Sequence, residues 1–219
     1  MDNLHNKEDY SKFKEFFEIS QKTIEFNKSL NWDNSIKNVY LATTISELIE
    51  VYKIRSQIYK KMGYSVEFKD IINGLNFDKY DTHSAILYTK RDGKVTGTCR
   101  LIFDIDKNLP LDKKYSLNFL REQNKTLVEL SRLVIKQENK GLSQEPRLLV
   151  KGSYIVMKLN NISTLTSVMV KEHFRYYKKF GGFKEEDKID SFGKIKQPFI
   201  ITSWDIKDVS PFFTKLFLR

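Results

Sequence analysis

The stretch Val128-Glu129-Leu130-Ser131-Arg132-Leu133-Val134-Ile135 sets two full charges inside a run of aliphatic residues, several of them β-branched. Such a run reads as a buried strand. A charge in a core strand is costly unless it is paired or used. A second stretch, Val95-Thr96-Gly97-Thr98-Cys99-Arg100-Leu101-Ile102-Phe103, carries Arg100 in the same way. Residues three apart on a regular strand point to opposite faces, so Glu129 and Arg132 share a site only if the strand bulges between them. Bulges are common beside active sites, and one is expected near Ser131.

Working outward, residues 84–103 read as a hairpin: Ala85 to Thr89 and Val95 to Phe103 are strands, and Arg91-Asp92-Gly93-Lys94 has the chemistry of a tight turn. Residues 8–30 read as an amphipathic helix with Tyr10, Phe13, Phe16, Phe17, Ile24 and Phe26 as its apolar stripe. After a short strand at Val39 to Ala42, Thr44 or Ser46 caps a second helix with Glu47 in its first turn. Leu48, Val51, Tyr52, Arg55, Ile58 and Tyr59 share one side of that helix, where Arg55 is out of place. Residues 64–82 form a long loop with a helical piece, and loops of that length in a compact domain are often functional. Pro146 opens a further helix, strand Leu165 to Val170 follows, and a helix to Phe180 stops at Gly181-Gly182. Late strands at Phe183 to Glu186 and Pro198 to Trp204 and a short helix from Pro211 complete an α/β sheet of mixed pairing.

With 219 residues and 40% hydrophobic content, the chain is large enough for one α/β domain with an elaboration. No apolar run approaches the roughly 20 residues of a membrane span. The start, Met1-Asp2-Asn3-Leu4-His5-Asn6, lacks a basic, apolar leader, so a cytoplasmic protein is expected. Cys99, the single cysteine, reads as a small buried hydrophobe. The net charge of +10 fits an acidic partner or an ordinary lysine-rich surface equally well. His5, His83 and His173 are scattered, no ligand spacing suggests a metal, and Ser131 has no evident base for a hydroxyl nucleophile.

Charged groups thus stand where a plain core would not want them: Arg55, Asp78, Asp81, Arg100, Glu129 and Arg132. Guanidinium groups fork onto carboxylates, so these either neutralise one another in a buried network or grip a zwitterionic or cationic small molecule. In order along the chain, Arg55-Ser56-Gln57-Ile58-Tyr59, Asp78-Lys79-Tyr80-Asp81, Gly97-Thr98-Cys99-Arg100-Leu101-Ile102 and Glu129-Leu130-Ser131-Arg132 resemble the motifs of the acyl-homoserine-lactone synthases, the autoinducer synthases of bacterial quorum sensing. They are similar also to the related N-acyl amino acid synthases and exosortase-associated acyltransferases. The resemblance covers about residues 48–135 and implies a GCN5-related N-acyltransferase-like mixed sheet flanked by helices, with residues 1–37 as an N-terminal helical extension and 38–219 as the acyltransferase domain. It implies Glu129 as general base, and Arg55, Asp78, Asp81, Arg100 and Arg132 as groups that bind the acceptor or order its loop. Tyr59 stands where the autoinducer synthases have phenylalanine, and only Tyr64 lies near the position of their following tryptophan, which leaves the acceptor open. Leu109-Pro110-Leu111-Asp112 is closer to the amino acid synthases and the exosortase-linked enzymes.

The implied activity is transfer of a fatty acyl group from a thioester to the amine of a small amino-acid-like acceptor, with S-adenosylmethionine as the acceptor in the autoinducer alternative. Amide formation needs a base for an ammonium proton, and a desolvated glutamate suits that task. Backbone N–H groups of a splayed strand suit the thioester oxygen. For the donor, the stretch Gln137 to Arg147 has one glycine, a poor cradle for the pyrophosphate of coenzyme A. An acidic acyl carrier protein would meet Lys136, Lys140, Arg147 and Lys151, with Lys178 and Lys179. Acyl-carrier-protein and acyl-CoA thioesters both remain as co-substrates, with no tightly bound cofactor expected. An apolar tunnel is expected from Leu148, Leu149, Ile155, Val168 and Met169. A reading of another class is a non-catalytic module for an acidic partner; no nucleic-acid motif supports DNA or RNA as that partner.

Overall fold

Asp92 and Gly93 both take left-handed backbone, at φ 51° and 74°, as the two-residue turn of a twisted hairpin requires. They join β2 (Ser84–Arg91) to β3 (Lys94–Phe103) at the heart of a seven-stranded sheet. The structure is a computed structural model that describes residues 2–107, 109–136 and 144–218, residues 2–9 by their backbone alone. The other strands are β1 (Val39–Leu41), β4 (Leu127–Ile135), β5 (Thr164–Met169), β6 (Phe183–Ile189) and β7 (Phe199–Asp205), in the order β1-β2-β3-β4-β5-β7-β6. Neighbours are antiparallel except β4 and β5, whose parallel pairing needs a crossover; helix α4 (Glu145–Leu159) supplies it.

Alternation along the strands divides the core. Leu87, Cys99, Leu101 and Val128 face α4 and the C-terminal helix α6 (Pro211–Phe217). Ile86 and Tyr88 face α1 (Asp2–Ser29) and α2 (Ile45–Lys61). Thr44 caps α2 through a reciprocal box with Glu47. Two shorter helices, α3 (Asn118–Glu122) and α5 (Lys171–Tyr177), sit before β4 and after β5. Cys99 is buried as a small hydrophobe, and burial pushes its thiol up to about 12. No helix among the described residues is long and apolar enough to cross a membrane.

The apolar stripe expected on α1 packs only in part: Phe16 and Ile24 join the core and Phe26 meets Phe103 at 5.1 Å, but the N-terminal rings stay out. Tyr10, Phe13 and Phe17 are 74%, 52% and 55% exposed, while Phe16, Ile19, Ser20, Thr23 and Asn27 are buried. The reason lies at the edge of β2. β1 stops at Leu41, and the next exposed donor on β2, the Ile86 N–H, is taken by Asn27 Oδ1 at 3.1 Å. A buried amide left bare costs more than a few half-exposed rings gain by packing, so α1 turns Asn27 inward together with Phe16 and Ile19.

Two irregularities make the site. Arg100 pairs with Ser131 but Thr98 pairs with Val134, so two residues of β4 bulge outward opposite one of β3. The bulge expected near Ser131 is therefore present, centred on Arg132 at φ 54°, a backbone state that costs a non-glycine residue about 1–3 kcal/mol. Second, the β4–β5 ladder ends at Leu130 and Ser167. Beyond it β4 stays with β3 and β5 stays with β7, so the sheet parts between them.

Candidate active site

Tyr52, Arg55 and Tyr59 lie on the inner side of α2, which brings the Arg55 guanidinium beneath the sheet. Asp78 caps the short 3-10 helix Lys79–His83, accepting from the Tyr80 N–H at 2.9 Å, and Asp81 returns the favour by accepting from the Asp78 N–H at 2.9 Å. This box fixes both carboxylates and leaves oxygen lone pairs for arginines. Asp81 Oδ1 takes Arg55 Nη1 at 2.9 Å and Arg100 Nη1 at 3.2 Å. Asp78 takes Arg100 Nη1 at 2.7 Å on Oδ1 and Arg132 Nη2 at 2.7 Å on Oδ2. Arg100 Nε donates to Ser131 Oγ at 2.9 Å. The result is one chain of alternating charge, Arg55–Asp81–Arg100–Asp78–Arg132, running from the deep core to the bulge.

Three guanidinium groups against two carboxylates leave this chain one positive charge over. Burial by itself would raise the Asp78 carboxyl, but Arg100 and Arg132 outweigh it and hold it well below the usual carboxylate range. Burial opposes the charge on Arg100 as well, and Asp78 and Asp81 overcome it. Arg132 stacks on the Phe68 ring at 4.3 Å and near the Tyr59 ring at 5.4 Å, so Tyr59 enters the site as an aromatic wall. Arg132 Nη1 is buried with no hydrogen-bond partner among the described residues.

Glu129 stands apart from that chain. It is 5% exposed and, among the described residues, forms no ion pair; its Oε2 accepts from the Leu111 N–H at 2.8 Å. Burial pushes its carboxyl up to about 7, against the Leu111 hydrogen bond and the charge of Arg100. It pairs with Thr166, one rung before the ladder ends.

Leu130, the next residue, points through to the other face. There it lines a narrow apolar cavity of about 20 Å³ with Val150, Ser153, Met169, Phe180 and Trp204 in its wall. Of the residues expected to line such a tunnel, only Met169 does so. Val168 alternates to the other face with Ile201, and Leu149 fills the core beside the sheet. The site is roofed by two segments: Gln197 Nε2 donates to Tyr64 Oη at 2.9 Å, the Lys194 N–H to Glu67 Oε2 at 2.8 Å, and Phe68 meets Phe192 at 6.3 Å.

The structure thus gathers Arg55, Asp78, Asp81, Arg100 and Arg132, sets Tyr59 against them and places Glu129 at the parting of β4 and β5. The basic residues are more dispersed. Lys136 is exposed just past β4, with its N–H on the Thr96 carbonyl at 2.8 Å. Arg147 donates to the Leu216 carbonyl at the end of α6. Lys151 is half-buried near Asp33, whose carboxyl is held down mainly by Ser35 and in small part by this lysine. Lys140 lies outside the described residues. Sequence reasoning did not find the Leu111 amide or Phe68. The first is a backbone group 18 positions from Glu129, and no local pattern places either beside its distant partner.

The family model described as N-acyl amino acid synthase FeeM matches residues 50–205, a span that holds the whole ion chain and Glu129. Among solved structures the fold is similar to FeeM, an N-acyl amino acid synthase from uncultured soil microbes, at 17% identity and TM-score 0.61, over 78% of this chain and 96% of that one. It is similar to the acyl-homoserine-lactone synthase LasI at 19% identity and TM-score 0.56, over 77% and 89% of the two chains. It is similar also to MesI, a CoA-dependent acyl-homoserine lactone synthase, at 15% identity and TM-score 0.60, over 81% and 92%. No curated protein sequence matches the chain. With the family model matched over most of its length and the acyltransferase fold built around it, the chain is an amide-forming acyltransferase and belongs to the FeeM N-acyl amino acid synthase family.

Proposed function

We propose that the protein moves a fatty acyl group from the thioester of an acyl carrier protein, or of coenzyme A, to the amine of a small amino acid. The observation that carries this reading is the position of Glu129. It is a buried carboxyl with a pKa near 7 at the rung where β4 and β5 part, with an apolar pocket on the opposite face of the same gap. A thioester threaded through the gap lays its alkyl chain among Leu130, Met169 and Phe180 and presents its carbonyl beside Glu129.

The acceptor enters from the side of the ion chain. Its carboxylate finds Arg132 Nη1, a buried donor with no hydrogen-bond partner among the described residues, and the surplus positive charge of the chain favours an anion there. Its ammonium group gives one proton to Glu129, and the neutral nitrogen attacks the thioester carbonyl carbon. Past Leu130, where β4 no longer pairs with β5, a backbone N–H of β4 is the donor this reading assigns to the developing oxyanion. Collapse breaks the C–S bond, the second nitrogen proton passes to the departing sulfur, and the proton on Glu129 returns to solvent. The +10 charge favours the acidic carrier protein over coenzyme A as the bearer of the thioester.

The test is to mix the protein with acyl-carrier-protein and acyl-CoA thioesters and a panel of amino acids, and to follow free thiol and product mass. Equimolar release of thiol and N-acyl amino acid supports the reading. With S-adenosylmethionine as the amine, release of methylthioadenosine would mark a lactone product and overturn the amino acid assignment. Turnover with no amine in the panel would overturn the reading altogether.

A further inference from the structure

The excursion between β3 and β4 enters the chemistry through one atom, the Leu111 amide, and the rest of it is built to hold that atom still. The 3-10 helix Pro110–Lys113 begins with proline, which has no N–H, so Leu111 supplies the first free amide of the turn. No carbonyl of its own helix reaches that amide, and Glu129 Oε2 takes it at 2.8 Å. A donor on Oε2 favours the ionised carboxylate.

What fixes this helix is a clasp centred on Arg121 of α3. Its Nε and Nη2 bond Asp104 at 2.6 and 2.9 Å, and its Nη1 and Nη2 bond Asp112 at 2.9 and 2.5 Å. Nη1 also reaches Asn118 Oδ1 at 3.2 Å. Asp104 is anchored to the sheet by its own N–H on the Leu127 carbonyl at 3.1 Å. Asp112 accepts the Leu117 N–H at 3.0 Å and the Leu109 N–H at 3.3 Å, on either side of Leu111. Arg121 is 10% exposed at its side chain, so the two bidentate forks work in a largely dry setting. The Leu109 and Leu111 side chains are fully buried between the clasp and the sheet.

We infer that Arg121 is a positioning residue for the acyl transfer: by tying Asp112 to Asp104 it holds the Leu111 amide against Glu129, sets how readily Glu129 ionises, and orients it toward the acceptor amine. This deepens the reading of Glu129 as the base and rests on it for its bearing on turnover. Arg121 touches neither substrate, so its removal leaves the thioester and acceptor sites in place. With the clasp undone, the Leu111 amide moves off and Glu129 holds its proton to higher pH.

The experiment compares wild type, Arg121→Gln, Arg121→Lys, Asp112→Asn and Glu129→Gln as full chains. Each is carboxyl-¹³C-labelled at glutamate, and Glu129 is identified as the resonance that Glu129→Gln removes. The titration midpoint of Glu129 in Arg121→Gln is expected to rise by roughly half a pH unit or more. Arg121→Lys should return part of that rise, and the acidic limb of kcat/KM should move with it while KM for the thioester changes less than twofold. An unchanged midpoint in a folded Arg121→Gln overturns the inference. If Arg121→Gln does not fold, the same criterion passes to Arg121→Lys, which keeps the charge and part of the clasp; Asp112→Asn serves only as a control, because the Asp112 charge itself raises the Glu129 carboxyl. Full activity of Glu129→Gln would sink the base assignment by itself, while the titration would still decide whether Arg121 governs Glu129.

Discussion

Asp81 Oδ1 accepts from Arg55 Nη1 at 2.9 Å with both side chains wholly shut off from solvent. The pair is unequal in its other contacts. Arg55 Nε and Nη2 have no hydrogen-bond partner among the described residues, whereas Asp81 also meets Arg100 at 3.2 Å and caps its own helix. Removing the carboxylate therefore strands a buried guanidinium, while removing the guanidinium leaves Asp81 paired. Asp81→Asn is expected to cost about 3–5 kcal/mol of stability, and Arg55→Met clearly less. Guanidinium denaturation of the two variants gives the comparison; the reverse order would mean that Arg55 is held by contacts other than this one.

Glu129 ties stability and turnover to pH in opposite directions. Its carboxyl moves from an ordinary 4.5 to about 7 on folding, chiefly through burial. The unfolded chain releases this proton from about pH 4.5, while the folded chain keeps it until about pH 7. Stability from this group is thus complete below the lower value and is lost as pH rises through the upper one, a loss of about 3 kcal/mol. Asp78 works the other way, since its lowered carboxyl gives stability above the ordinary aspartate range that acid removes. Denaturation of wild type and Glu129→Gln at pH 5 and pH 8.5 should show the fall in wild type alone. The rate should climb through pH 7 as the base ionises, and Glu129→Gln should lose turnover by two orders of magnitude or more, roughly the size of a positioned base's contribution.

Met169 lies in the wall of the apolar pocket with Leu130 and Phe180, on the far side of the gap from Glu129. Met169→Trp fills that space at a cost of about 1–3 kcal/mol from crowding. Turnover with long-chain thioesters should fall sharply, and turnover with acetyl thioester should change little. Equal losses across chain lengths, measured by thiol release, would place the alkyl chain elsewhere.

Gly193 holds the roof. Its φ is 59°, and a Cβ there would stand 2.1 Å from the Glu67 carboxylate that accepts the Lys194 N–H. Gly193→Ala therefore meets both backbone strain and a clash, and should lose more than about 1 kcal/mol. Glu67→Ala in the same chain relieves the clash but not the strain, so a double-mutant cycle by thermal unfolding should recover part of the loss. Complete recovery would show that the backbone at Gly193 is unstrained.

Much of the site was legible in the sequence because charge in a strand is its own signal. Glu129 and Arg132 stand three apart where a regular strand would separate them, and the expected bulge is found at Arg132. The Asp92-Gly93 turn and the Thr44–Glu47 cap were equally plain, since each is settled within four residues. Helix α1 shows where local reading fails. Of the expected stripe, Phe16, Ile24 and Phe26 pack while Tyr10, Phe13 and Phe17 stay exposed, and the helix turns Asn27 inward to satisfy an amide on β2, a need visible only when β1 is seen to stop short.

From its residues alone, the chain settled which groups are charged, where strands and turns fall, and that Arg55, Asp78, Asp81, Arg100, Glu129 and Arg132 stand in unusual company. Tertiary structure decided that five of those six join in one ion chain while Glu129 is left out of it to carry a raised pKa beside a backbone amide. The division has a physical cause. Periodicity and turn chemistry act over a few neighbours, but desolvation and ion pairing depend on which distant side chains fill the space around a group.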